Sequence, residues 1–241
     1  MIQQKNIDLA AIQRSINYPD RIISLAHLEL LIQSDDCYSV VEKGFYDAVP
    51  AIFQDLQKHN IPGDIVVAGV WKGGSSLYLR ALEQYYNLNK KLWLADTFQG
   101  FVRDSIQHEK DRQALAIFST MLAPDFPTAS RVQALFAKHD LWQTTDIAIL
   151  EGDLAHTLPN INASAYALVH IDVDFYEPTQ AALELTYPKL SLGGYVIIDD
   201  YGVEMFNCRD AVDDFRGKYG ITESLHFMTN YVAYWKKEHH V

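Results

Sequence analysis

Four aspartates carry the densest chemistry in this chain: Asp172 and Asp174, two residues apart, and the adjacent pair Asp199 and Asp200. Each pair closes an apolar run, LVHI before the first and YVII before the second. Residues two apart on an extended strand project to the same side. A helical segment follows the first pair, and Gly193-Gly194 then turns the chain into the second run. Strand, helix and strand joined by a right-handed crossover lie parallel, so both carboxyl ends open at one edge of the sheet, where ligands of open α/β sheets bind. Three or four carboxylates therefore converge on one crevice. Such groups repel unless a cation or a shared proton offsets their charge. Their chemistry is cation binding, proton transfer, or both.

A second constellation lies upstream. In GDIVVAGVWKGGSSLYLRALEQYY, residues 65–68 read as a buried strand, Gly69, Gly73 and Gly74 as a glycine-bearing turn, and Ser75 as the opening of a helix with Leu77, Leu79 and Leu82 inward. Glycine serves where backbone must approach a ligand closely, and a helix N-terminus offers free N–H groups to an anion. An ordinary βα turn reads the same way. The spacing differs from G-x-G-x-x-G, which disfavours a nicotinamide or nucleotide-sugar enzyme. Residues 91–96, KLWLAD, read as the next strand and end in Asp96. An acid there can hold the two hydroxyls of a ribose, or simply cap a loop. The strand DIAIL at 146–150 leads to Gly152 and Asp153, a turn that can meet a purine or remain a plain polar turn.

The remaining elements must position these groups. Residues 1–60 read as N-terminal helices, either packed on the edge of the core or serving as a lid, part of a substrate wall or a dimer contact, with Asp20 as a helix cap and Ile22, Ile23, Leu25, Leu28, Leu30, Leu31 and Ile32 at helical spacing. In 44–60, Phe45, Val49, Ile52, Phe53 and Leu56 share a helical face. Residues 61–241 read as the main domain, with an insertion at about 98–145 whose size near the ligand edge suits a substrate cover and which has helical periodicity at 114–122 and 132–141, split by Pro124 and Pro127. His108 and His139 in the insertion are either acid–base groups or surface residues. Residues 207–219 read as a helix, with Asp213 and Asp214 facing solvent, and a hairpin closes the chain around Thr229-Asn230.

Composition narrows the class. The 241 residues carry 20 basic and 31 acidic side chains, a net charge of −11, which disfavours nucleic-acid or anionic-membrane partners. Apolar residues form 49 %, enough for a full core, yet no run nears membrane-spanning length. Cys37 and Cys208 fit no metal spacing and suggest free thiols in a reducing compartment. No signal-peptide pattern opens the sequence, so a cytoplasmic protein is expected.

In combination, PGDIVVAGVWKGGSS, LWLADTFQGF, the EGD…TLP segment, HIDVDFYEPT, YPKLSLGGYVIIDDYG and CRDAVDDFR resemble the macrocin O-methyltransferase (TylF-type) family, in family order over about residues 20–235. The resemblance implies a doubly wound, seven-stranded class I methyltransferase sheet with an N-terminal helical appendage. It implies S-adenosylmethionine and magnesium as cofactors and a hydroxylated small-molecule acceptor, a sugar or vicinal diol of a natural product such as an antibiotic. By position, Gly69, Trp71, Gly73 and Ser75 would surround the methionine end of the cofactor, Asp96 with Thr97 beside it would hold the ribose, and Gly152 and Asp153 would lie near the adenine. Asp172, Asp199 and Asp200 would bind the metal, and Asp172 would also be the general base; Asp174 has no assigned role. Magnesium on a hydroxyl oxygen lowers its pKa and a carboxylate can take the proton, which is what methylation of an alcohol requires. Val67-Ala68 stands where the family usually carries Glu-Thr or Glu-Ala, and His170 and Pro178 where it often has Arg and Ser. The absent acid leaves a non-catalytic cofactor-binding or scaffold protein of a biosynthetic cluster as the alternative. The apolar N-terminal helices make a homo-oligomer plausible.

Overall fold

The structure, a computed structural model, describes residues 25–34, 43–122 and 126–240. Asp20, Ile22, Ile23, Cys37 and Pro124 lie outside them. One seven-stranded sheet runs in the order β3-β2-β1-β4-β5-β7-β6. Its strands are β1 (Asp64–Ala68), β2 (Leu92–Asp96), β3 (Ile147–Glu151), β4 (Tyr166–Ile171), β5 (Leu190–Ile198), β6 (His226–Phe227) and β7 (Ala233–Lys236). The first five are parallel, and β7 runs antiparallel to β5 and β6. Every residue of β4 is buried, as a parallel strand covered on both faces requires, which is why its sequence is a continuous apolar run.

Helices cover both faces. On one lie α1 (Leu25–Gln33), α2 (Lys43–Lys58), α3 (Gly74–Tyr85) and α5 (Ala129–Lys138). On the other lie α4 (Glu109–Leu122), α6 (Leu154–Thr157), α7 (Tyr176–Thr186) and α8 (Cys208–Tyr219). The α2 stripe of Phe45, Val49, Ile52, Phe53 and Leu56 is buried to 4 % exposure or less. Each such side chain contributes about 1.5–3 kcal/mol of transfer free energy. Among the described residues no helix is long and apolar enough to cross a membrane.

One turn expected from sequence is part of a strand instead. Gly193 and Gly194 lie inside β5, where the pairing with β4 shifts register. Gly193 has φ +82°, and a Cβ there would stand 2.5 Å from Ile61 Cδ1. The pair forms a kink that admits Ile61, and its backbone stays bonded to Lys237 (2.7 and 2.8 Å). The chain turns before it, at residues 187–189.

Candidate active site

The carboxyl ends of β1, β2 and β4 meet at a cavity of about 410 Å³, within the size range of small-molecule sites. The glycine turn after β1 forms one wall. Gly69 has φ +88° and lies so close to β4 that an added Cβ would fall 1.7 Å from the Asp172 carbonyl oxygen. Gly73 (φ +85°) precedes α3, whose first turn carries Ser75, 4 % exposed. Four non-glycine residues of the lining also have left-handed backbone: Trp71, Phe98, Asp174 and Asp200. Such strain concentrates at binding and catalytic sites, because it must be held by its surroundings.

Asp96 ties the turn to β2. Its Oδ2 accepts the amides of Val70 (2.7 Å) and Trp71 (2.9 Å), and its Oδ1 that of Phe98 (2.7 Å). A carboxylate offers about four acceptor positions, so one remains for a ligand hydroxyl. Thr97 lines the cavity and donates its hydroxyl to the Gly100 carbonyl. Asp153 also lines it, with its carboxylate capping α6 through Ala155 N (2.8 Å). Gly152 lies behind the lining, its amide donated to the Asp96 carbonyl (2.9 Å).

The acids divide into two pairs. Asp174 and Asp200 are hydrogen bonded through their side chains, which requires a proton on one of them. Asp172 and Asp199 approach each other together with His170, with one potential ligand atom from each within 4.8 Å of the others. Burial, then the charges of Asp199 and Asp200, raises the Asp172 carboxyl well above its ordinary range. Burial raises Asp174 to about 6, against the lowering effect of its bond to Asp200. Burial, then Asp174, raises Asp200 well above its usual range. Burial alone pushes His170 down to about 4, so its ring is neutral.

His170 pairs in register with Val67, so two positions that depart from the family pattern are neighbours on adjacent strands. An apolar residue beside a neutral imidazole leaves no buried charge uncompensated.

The far wall comes in large part from the insertion, whose length and place at the ligand edge suit a substrate cover, while its individual residues are not legible in the sequence. Phe101, Val102, Ile106, Phe126, Pro178 and Phe206 line it, drawn from the insertion and from segments around α7 and α8. Phe101, Phe175 and Phe206 pack ring on ring, with centroids 4.6 and 5.7 Å apart. The length of the insertion is the signal that points to this wall. Asp111 also went unseen: fully buried, it accepts Tyr176 N and Asn207 N, both at 2.9 Å, and joins α4 to the starts of α7 and α8. His108 is exposed, stacked on Tyr176 (4.1 Å) and bonded to Glu177 (3.2 Å). Neither it nor His139 lines the cavity. Asp213 and Asp214 are exposed as expected and accept hydroxyls from Tyr201 and Tyr176.

The strand order, the antiparallel β7 and the cavity beside the glycine turn define a class I methyltransferase fold. Residues 35–237 match the macrocin-O-methyltransferase (TylF) family, and the chain belongs to that family. It is similar to the 8-demethyl-8-(2,3-dimethoxy-alpha-L-rhamnosyl)-tetracenomycin-C 4'-O-methyltransferase of Streptomyces olivaceus, 37 % identical over 73 % of this chain and 66 % of that protein. It is also similar to the demethyldecarbamoylnovobiocin O-methyltransferase of Streptomyces niveus, 33 % identical over 76 % of this chain and 70 % of the relative. The solved structure of the O-methyltransferase NovP superposes with a TM-score of 0.77 at 30 % identity, covering 83 % of this chain and 82 % of that one. The chain thus spans about two thirds of the length of the curated relatives it matches.

Proposed function

We propose that the chain is an S-adenosylmethionine- and magnesium-dependent O-methyltransferase acting on a hydroxyl of a small natural product, a sugar or vicinal diol. The observation that carries this reading is the shared cavity: the strained glycine turn, Asp96, Asp172, Asp174 and Asp200 all line it, with Asp199 beside Asp172. The relatives named for methylating a rhamnosyl tetracenomycin and a novobiocin precursor support the acceptor class.

The residues present fit both cofactors. The close approach of Gly69 to β4 and the open first turn of α3 suit the methionine end, with Trp71, Gly73 and Ser75 around it. Asp96 has one acceptor position left for the ribose, Thr97 stands beside it, and Asp153 flanks the adenine end, with Gly152 supporting it from behind. Asp172, Asp199 and Asp200 supply an oxygen donor set of the kind magnesium takes, which leaves positions for acceptor hydroxyls. When bound, the sulfonium supplies the methyl electrophile and the cation lowers the pKa of the acceptor hydroxyl.

This chain's residues then hold the two partners in line and move one proton. Asp172 is the first candidate for accepting it, while also serving as ligand. Asp174 is the second, because it faces the cavity and its bond to Asp200 gives the proton a route away. The aromatic wall excludes water. Glu177 lines the same cavity, with a buried Oε2 that has no hydrogen-bond partner and can receive an acceptor hydroxyl.

Calorimetry with S-adenosylmethionine tests the core of this reading, and a protein that binds none of it refutes the proposal. Asp172→Asn is expected to keep cofactor binding and abolish turnover. Asp174→Asn separates the two candidates: loss of turnover with magnesium affinity retained assigns the proton to Asp174, and retained turnover assigns it to Asp172.

A further inference from the structure

We propose that the cation site includes a nitrogen ligand, the imidazole of His170, which with Asp172 and Asp199 makes the site favour borderline transition ions such as manganese, cobalt or zinc over magnesium. This rests on the reading of the aspartate group as a cation site and adds a ligand to it. His170 is fully buried, and neither ring nitrogen has a hydrogen-bond partner. A buried polar atom left unpaired costs about 1–3 kcal/mol, so native structures rarely tolerate one without a reason. A potential ligand atom of His170 lies within 4.8 Å of one on Asp172 and one on Asp199. Asp172 directly follows β4, two residues after His170, and Phe45 packs on the ring at a centroid distance of 5.4 Å. The imidazole is thus held in place beside two carboxylates, with nothing else to bond.

An all-oxygen magnesium site would leave that ring unsatisfied. Imidazole nitrogen suits zinc, iron, cobalt and nickel, whereas magnesium takes oxygen donors. A comparable group, His108 with Asp111 and Glu177, carries no such inference. Its histidine is exposed; Asp111 already accepts two backbone amides, and Glu177 Oε1 already accepts those of Gln107 and His108.

The test uses the full chain loaded with manganese and pulsed electron paramagnetic resonance, which reads a nitrogen bonded to the ion without any turnover. The expected result is a nitrogen coupling that changes on ¹⁵N-histidine labelling and is absent in His170→Gln. Calorimetry with manganese and magnesium is expected to show the preference for manganese falling by about tenfold or more in His170→Gln. Manganese bound without a coupled nitrogen overturns the proposal, as does an unchanged preference in a folded His170→Gln. The labelled wild-type protein decides the matter if the variant does not fold. Binding of no divalent ion overturns both this inference and the cation site proposed above, whereas binding without nitrogen overturns this inference alone.

Discussion

Gly69→Ala is the sharpest structural test of how the site is held. The added methyl would fall 1.7 Å from the Asp172 carbonyl oxygen and 2.6 Å from its carbonyl carbon, whereas ordinary contact begins at 3.4 Å. The obstacle is backbone on both sides, so no side-chain rotation relieves it. β1 and β4 must separate by more than an ångström just where Asp172 N donates to Ala68 O at 2.8 Å. Left-handed φ at a non-glycine residue adds about 1–2 kcal/mol, and the weakened bond about 1 kcal/mol. The expected loss of stability is about 2–4 kcal/mol, read as a lower denaturant midpoint at unchanged slope. The same displacement moves the Asp172 carboxylate relative to Asp199, and a misplacement of about 1 Å costs about 100-fold in turnover. Gly217→Ala is the control: it lies in α8 with no atom within 4 Å of the added carbon, and it is expected to stabilise by about 0.5–1 kcal/mol. If Gly69→Ala kept the stability and turnover of the parent, the claim that close β1–β4 approach holds the site would be wrong.

Asp111→Ala leaves the amides of Tyr176 and Asn207 without their acceptor, so urea unfolding is expected to show a loss of about 3 kcal/mol and turnover to fall as the far wall loosens. The pH dependence of stability, measured by thermal unfolding without added divalent ions, has two opposed parts. His170, lowered from 6.5 to about 4, is protonated in the unfolded chain but not in the folded one, so between these values it makes stability rise with pH. Asp174, raised from 3.8 to about 6, holds a proton that the unfolded chain has lost, so it makes stability fall over nearly the same window. Asp172 and Asp200, also raised, add to the falling part, so His170→Gln is expected to steepen the fall across about pH 4–6 and Asp174→Asn to make it shallower; equal slopes in the two variants would refute both assignments.

The local pattern of this chain determines its elements because burial dictates residue type one strand or helix at a time. The apolar runs of β1, β2 and β4, the stripe on α2 and the acids at strand ends are legible for that reason, as is the convergence of Asp96, Asp172 and Asp200 on one sheet edge. Gly193-Gly194 reads as a turn in the sequence but kinks β5 instead, because its setting comes from the register with β4 and from Ile61, more than a hundred positions away in sequence. The division of four similar aspartates into Asp172 with Asp199 and Asp174 with Asp200 belongs to the tertiary structure alone. It depends on sub-ångström placement across β4, β5 and their loops, and no spacing rule encodes that. The same holds for His170, which the sequence marks only as a departure from the family pattern until the fold places its unbonded ring beside two carboxylates. Asp111 is one of several charges in the sequence of α4, and only the approach of α7 and α8 makes it a buried joint. Sequence alone determined which chemistry the chain can hold, because residue types and strand ends are local. Tertiary structure decided which groups act together, because that depends on contacts between segments far apart along the chain.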